Sequence, residues 1–207
     1  MNINDTTEYE AKFYPVDKVE YREKLKSVGA KLMIPERKMI RVIADSRLNN
    51  ILPKNHYVRV REEGNLIRLS YKITADTAGN LSDQKEIDID VSDFDKTVKI
   101  LELIGLKFGY KQETLREEWE YKNSQITIDT WPGLDPYSEI ETDSEKLVKE
   151  IAEELGFVWN KKIITAAAEV YQRVYKLELN KVLDMISNIT FENNPFSGMK
   201  KYELEYN

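Results

Sequence analysis

Charged and apolar residues alternate one for one in segment after segment of this chain. In EYEAKF, residues 8–13, an extended backbone puts Glu8, Glu10 and Lys12 on one face and Tyr9, Ala11 and Phe13 on the other, because successive side chains of a strand point to opposite sides. The same period recurs at residues 56–61, which set Arg59 and Arg61 against Val58 and Val60, and at 66–74, where Arg68, Ser70 and Lys72 share a face. Residues 84–91 place Glu86, Asp88 and Asp90 opposite Ile87, Ile89 and Val91. Residues 110–121 (Arg116, Glu118, Glu120), 126–130 (Thr127, Asp129) and 138–142 (Glu139, Glu141) repeat it, and the β-branched run at 38–44 reads as a further strand. A half-exposed sheet shows water a mixture of Ser, Thr, Lys and Glu; here the polar face is mostly acids and bases. An antiparallel sheet closed into a barrel gathers one face of every strand into a common interior, and about eight strands leave room for one ligand. Charges persist there only if they pair, bind a metal or hold a charged ligand.

Helices fall between these strands. Asp17 is placed to cap one carrying Val19, Leu25 and Val28, stopped at Gly29; Ser92 or Asp93 opens another with Val98, Leu101, Leu103 and Ile104, stopped at Gly105. Asp143 caps a third with Leu147, Ile151 and Leu155, ended by Gly156, and residues 164–183 read as one longer helix. The expectation is an α+β fold, a closed eight-stranded antiparallel β-barrel flanked by helices. With no internal repeat or low-complexity linker, residues 1–185 read as one domain and 186–207 as an irregular tail, with one extended stretch at 202–206.

Composition removes most other chemistries. There is no cysteine, hence no disulfide, zinc thiolate, iron–sulfur cluster or thiol nucleophile, and His56 is the only histidine, which rules out His-rich metal sites and most Ser/His triads. Neither GxGxxG nor GxxxxGK occurs, so phosphates would have to be held by side chains. A net charge of −6 argues against general nucleic-acid binding and a polybasic membrane anchor. No apolar run approaches the roughly 18 residues of a spanning helix, and MNINDTTEYE carries no signal-peptide h-region. A cytoplasmic protein is expected. Carboxylates, Lys and Arg remain, with hard oxygen ligands suited to Mg²⁺, Mn²⁺ or Ca²⁺.

The charged residues also occur in a telling order. Glu8-x-Glu10-x-Lys12 is followed by Arg59-x-Arg61, Lys72, the Lys85–Glu86 pair, Arg116, Asp129 within ITID, and Glu139-x-Glu141, with a further lysine at 161 or 162. This set resembles the signature of the CYTH superfamily, the triphosphate tunnel metalloenzymes that include class IV adenylate cyclases and thiamine triphosphatases. The resemblance implies that Glu8, Glu10, Glu86, Asp129, Glu139 and Glu141 ligate Mg²⁺ or Mn²⁺. It implies that Lys12, Arg59, Arg61, Lys72, Arg116 and Lys161 bind a triphosphate. The parity of the strands independently gives the acids of 8–12 and 138–142, Arg59, Arg61, Lys72 and Arg116 a common inward face.

Lys12 is also the candidate to help orient or deprotonate an attacking water, on condition that burial beside cations lowers its pKa. The implied activity is metal-dependent hydrolysis of inorganic triphosphate, thiamine triphosphate or a nucleoside triphosphate. The alternatives are a class IV adenylate cyclase and a non-catalytic triphosphate or polyphosphate sensor. The implied partners are a small-molecule triphosphate and, as a family expectation, a second copy in a homodimer, with no nucleic acid and no membrane. Two departures stand out. Thr114 occupies a position, two before Arg116, where the family often has a base, and Lys85 has the parity opposite to Glu86, so a bulge is needed to turn both inward. Arg41 and Arg68 are further candidates for the interior; His56 reads as a strand start, and Trp119, Tyr121 and Phe157 as packing between helix and barrel.

Overall fold

A computed structural model describes residues 7–76 and 79–204. They form eight strands: β1 (Tyr9–Phe13), β2 (Lys31–Asp45), β3 (His56–Glu62), β4 (Ile67–Ile73), β5 (Lys85–Val91), β6 (Gln112–Tyr121), β7 (Ser124–Thr130) and β8 (Tyr137–Thr142). Five α-helices accompany them: α1 (Lys18–Ser27), α2 (Phe94–Leu103), α3 (Glu145–Glu154), α4 (Ala167–Tyr175) and α5 (Leu179–Ile186). All strands join one sheet in the order β1-β8-β7-β6-β2-β3-β4-β5, and every pairing is antiparallel.

The α+β class and the eight antiparallel strands are as expected; among the described residues the ladder is not closed by hydrogen bonds into a barrel. Among the described residues the two edge strands meet at a single isolated bridge, Thr7 with Lys85, beside which the Glu8 N–H donates to the Gln84 carbonyl at 3.1 Å. The reason lies in β1, whose outer edge is already used: Lys12 and Ile163 exchange two backbone hydrogen bonds of 2.8 and 2.9 Å. The Gln84 side chain spans the seam, donating from Nε2 to the Glu10 carbonyl at 2.9 Å.

The apolar face of the sheet packs outward under the helices. α1 and α3 cover Ala11, Phe13, Trp119, Ile126, Ile128 and Ile140 with Tyr21, Leu25, Val148 and Ile151, each fully buried aliphatic side chain being worth about 2 kcal/mol of transfer free energy. Phe157 stacks on Phe13 at 4.4 Å, as expected of a packing aromatic. α2 covers Val42 and Val60 through Phe94. α4 and α5 enclose Trp131, Tyr137, Ile163, Ile189 and Phe196.

Several local expectations are corrected. β2 begins at Lys31, not 38, and its first half shifts register against β6 on either side of Ile34, next to Pro35, which has no N–H for a ladder. The single helix expected over 164–183 is two, because Lys176 adopts a left-handed conformation (φ 51°) and ends α4. Ser144, not Asp143, is the N-cap residue of α3, whereas Asp17 and Asp93 do cap α1 and α2. Val19, expected on the apolar face of α1, is exposed. Residues 202–204 are not a strand; Tyr202 donates its N–H to the Val174 carbonyl at 2.8 Å, and 205–206 lie outside the described residues. Beyond α5 the described chain is irregular, yet Ile189 and Phe196 are buried.

One glycine position is required by this packing. Gly133 has φ 86°, and a Cβ there would come within 3.0 Å of both Asn194 Oδ1 and Phe196 Cβ. The Trp131–Gly133 turn can therefore lie flat under residues 194–196 only without a side chain.

Candidate active site

The charged face of the sheet encloses a cavity of about 810 Å³ whose lining includes Glu8, Glu10, Lys12, Arg41, Arg59, Arg61, Arg68, Lys72, Glu86, Asp88, Arg116, Glu139 and Glu141. Charge is sorted by strand. Apart from Lys12, the end of the chain leading through β1 contributes acids, as do β5 and β8; the bases come from β2, β3, β4 and β6, with Asp45 at the end of β2 the exception, paired with Arg47. Because β1 and β5 meet at the seam and β8 neighbours β1, the acids form one continuous wall, and the sheet order puts the basic strands opposite.

Register fixes the contacts. Glu10 stands opposite Glu141 and Lys12 opposite Glu139 across β1 and β8; Lys72 stands opposite Glu86, and Arg116 opposite Asp129. Lys12 donates to Glu10 and lies 3.6 Å from Glu139. Lys72 pairs with Glu86 and lies 3.2 Å from Glu8. Arg59 donates to Glu86 at 2.8 Å. Arg116 holds Asp129 through Nε and Nη2 at 2.8 and 2.9 Å and reaches Glu139 at 2.5 Å. Arg61 donates from Nε to Glu63 at 2.6 Å.

Burial and crowding perturb these groups in opposite directions. Burial pushes Glu8 up to about 9, with Glu86 and Glu141 adding to the shift against the pull of Lys72. Burial and the Glu10 carboxylate raise Glu141 to about 7, and burial and Glu10 likewise raise Glu139. Burial works against ionisation of Glu10 too, but Lys12 and Lys72 outweigh it and hold Glu10 at about 2. For Lys12, burial favours the neutral amine, yet Glu10 and Glu139 overcome it and raise the pKa. With these carboxylates beside it, the ammonium form of Lys12 is the favoured one. Arg61 falls to about 9 through burial and the adjacent Arg59 and Arg116, and Arg41 to about 10 for the same reasons. The basic wall is short of negative charge.

Orphaned donors show the same thing. The Nε atoms of Arg41, Arg59 and Arg68 are buried without a hydrogen-bond partner, which an anion between them would supply. On the acidic wall the donors are all carboxylate oxygens, the chemistry that Mg²⁺ and Mn²⁺ take. Among the described residues, however, no group of three such side chains stands ready to hold a metal ion. Glu8, Glu10, Glu86 and Glu139 are turned to ammonium and guanidinium partners instead, so the donor set fits a hard cation once those partners swing to an anion.

Two residues named in advance are not on the cavity wall. Asp129 is fully buried, engaged by Arg116 and by the Thr127 hydroxyl at 2.6 Å, and serves here as the anchor of Arg116. Lys161 lies in the 3₁₀ turn Trp159–Lys161 and lines a separate cavity with Phe13, Asp135 and Lys201, because that turn carries the chain to the outside of β1. Lys85 keeps its outward parity, donating to Thr7 and to the Ser82 carbonyl, so no bulge forms. Arg41 and Arg68 do face inward. Arg41 donates to Thr114, so β2 brings a guanidinium to the position where the strand of Arg116 lacks its expected base. Its guanidinium also lies 4.7 Å over the Trp131 ring. Glu63 and Gln112 escaped notice, although both continue an inward parity, Glu63 that of Arg59 and Arg61 and Gln112 that of Arg116. Each sits at a strand end where alternation gives little warning.

An antiparallel sheet wrapped around facing acid and base walls defines the class: an α+β protein with a charged, polyanion-sized interior. The chain belongs to the CYTH domain family, whose model matches residues 6–182. No curated protein matches it by sequence. Among solved structures, a Pyrococcus horikoshii protein superposes with a TM-score of 0.65 at 18% identity, over 77% of this chain and 96% of its own. A candidate adenylate cyclase from Vibrio parahaemolyticus gives 0.65 at 13% identity, over 81% and 98%. A candidate adenylyl cyclase from Hippeastrum, described as having a dominant triphosphatase activity, gives 0.52 at 11% identity, over 80% and 93%. At these identities the likeness is one of fold. No helix among the described residues is long and apolar enough to cross a membrane.

Proposed function

We propose that this chain is a divalent-metal-dependent triphosphatase that hydrolyses a terminal phosphoanhydride. The observation that carries the reading is the pair of facing walls in one cavity, acids on β1, β5 and β8 and cations on β2, β3, β4 and β6, with buried guanidinium nitrogens left unpartnered. Such a site is electrically incomplete on both sides, and a metal-bound polyanion completes both.

In this reading Arg59, Arg61, Arg41 and Arg116 grip phosphate oxygens, and Lys72 turns from Glu8 and Glu86 to the chain of phosphates. Glu8, Glu10, Glu139 and Glu141 hold Mg²⁺ or Mn²⁺, with Glu86 at the margin of the same wall. When bound, the cation offsets phosphate charge and favours the hydroxide form of a water at neutral pH. Lys12, kept protonated between Glu10 and Glu139, neutralises charge as the bond to the terminal phosphorus breaks. It takes no proton. Asp129 holds the Arg116 guanidinium planar and aimed into the cavity. Water is consumed, a P–O–P bridge is cleaved, and phosphate leaves with the shortened polyphosphate.

Phosphorus NMR of the protein with Mg²⁺ or Mn²⁺ tests this directly, with tripolyphosphate in one sample and ATP in another. Release of inorganic phosphate that stops on adding a chelator is the expected result. Cyclic AMP and pyrophosphate from ATP would make the chain a cyclase, and tight binding without turnover of either compound would make it a sensor.

A further inference from the structure

The cavity does not end at the ion pairs. Toward α5 its lining adds Ile43, Phe108, Leu183 and Ile186, beside the ion-paired Asp45, Arg47 and Asp184, and the Gly109 N–H donates to the Ile43 carbonyl at 2.9 Å. At the boundary between charged and apolar parts stand Arg41 and Gln112, which face each other across β2 and β6. Gln112 is 6% exposed. Its Nε2 donates to the Ile186 carbonyl at 2.9 Å. That bond fixes the orientation of the amide, since the reversed amide would set two oxygens against each other. Gln112 Oε1 is then left buried with no hydrogen-bond partner, and so is the Nε–H of Arg41 across the strand.

The unused acceptor discriminates between ligands. A fully ionised, cation-bound triphosphate presents only acceptors; it can satisfy Arg41 but not Gln112 Oε1, and a buried carbonyl left without a donor weakens binding. We propose that Gln112 is a specificity residue, and that the substrate is a triphosphate ester whose organic part carries an O–H or N–H donor, read by Gln112 Oε1 beside an apolar chamber. This rests on the triphosphate reading above and narrows it, away from inorganic triphosphate and toward molecules with a hydroxylated or amino-bearing ring. Arg41 takes the phosphate next to the ester oxygen, and Gln112 takes the donor one step further out. The flanking Ile43, Phe108 and Leu183 shield both from water, which strengthens each bond.

The test is specificity measured with three probes, ATP, thiamine triphosphate and tripolyphosphate, each with Mg²⁺, as kcat/KM where the probe is turned over and as Kd where it is only bound. The wild-type chain should favour at least one organic probe over tripolyphosphate by about tenfold, the value of one buried hydrogen bond. Gln112→Leu should abolish that preference, lowering the organic probe about tenfold more than tripolyphosphate. A cooperative thermal melt shows that the variant has folded, and Gln112→Met, unbranched at Cβ and Cγ, replaces it should the leucine variant melt early. Equal or better use of tripolyphosphate by the wild type overturns the inference, as does a variant that loses all three probes in proportion. Those outcomes leave the triphosphatase reading standing. Failure of every probe, tripolyphosphate included, to bind or react would overturn both.

Discussion

Lys72 Nζ lies 3.2 Å from Glu8 Oε2 and simultaneously pairs with Glu86. One ammonium thus ties the segment entering β1 to β5, at the seam where, among the described residues, the two edge strands share only one isolated bridge. Side-chain electrostatics hold the sheet's edges together where the backbone ladder does not.

Replacing Lys72 should therefore harm structure and binding together. In Lys72→Met Glu8 loses its cation and Glu86 keeps only Arg59, and removing one partner of a buried ion pair typically costs about 3 kcal/mol or more. The metal-free variant should melt well below the wild type, and saturating Mg²⁺ should recover part of the loss by replacing the missing charge. Differential scanning calorimetry with and without Mg²⁺ checks both; equal melting temperatures for the two proteins would show that the seam needs no cation.

The pH dependence of metal-free stability follows from Glu8 and Glu141. Their folded-state pKa values are raised to about 9 and about 7 by burial and neighbouring acids, whereas in the unfolded chain both titrate near the ordinary 4.5. Between these limits the unfolded state has released protons that the folded state still holds, so stability falls as pH rises. Glu10, held at about 2, acts oppositely, its contribution being present above pH 4.5 and lost only as pH drops toward 2. Unfolding of the chelator-treated protein should need less urea at pH 9 than at pH 6. The stabilisation given by Mg²⁺ or Mn²⁺ should grow over the same interval, since the cation competes with those protons.

Lys12 offers a sharper division between charge and proton transfer. Because Glu10 and Glu139 raise its pKa, activity should show no limb near neutrality belonging to a lysine base. Lys12→Met should lower kcat/KM by about a hundredfold, the scale of one electrostatic contact in a transition state, with the shape of the pH–rate profile unchanged. A limb present in the wild type and absent from Lys12→Met would restore Lys12 as the base.

Much of this site is legible in the sequence because a strand's period of two is rigid: once Glu10 faces inward, Glu8 and Lys12 must follow. Alternation also separates Lys85 from Glu86 without any bulge. It fails where a charge sits on the wrong face. Glu117 has the parity of the apolar side, and is 3% exposed because Arg22 of α1 grips it with two bonds, 3.0 and 2.6 Å long, to one carboxylate oxygen, while Trp119 Nε1 donates to the other at 2.6 Å. No local pattern announces a partner 95 residues away. The break at Lys176 is hidden for a related reason: lysine is a good helix former, and its left-handed conformation is imposed by packing of α5 and the tail.

Glu117 supplies the control that separates fold from site. Its carboxylate lies under α1, on the face of the sheet opposite the cavity, and its partners Arg22 and Trp119 are absent from the cavity lining. Glu117→Leu removes a buried carboxylate together with its bidentate bond and leaves Arg22, whose side chain is 33% exposed, free to reach water. The cost should fall at about 1–3 kcal/mol, that of losing a charge-assisted pair at the boundary of a core. Triphosphate turnover per folded molecule should stay within about twofold of the wild type, because additive behaviour is expected of sites that share no partner. Denaturant titration and initial rates on the same preparation read the two quantities separately. A variant as stable as the wild type but slow in turnover would mean that α1 sets the position of Arg116 and Glu118 on the neighbouring parity of β6, and that the helix layer belongs to the active site after all.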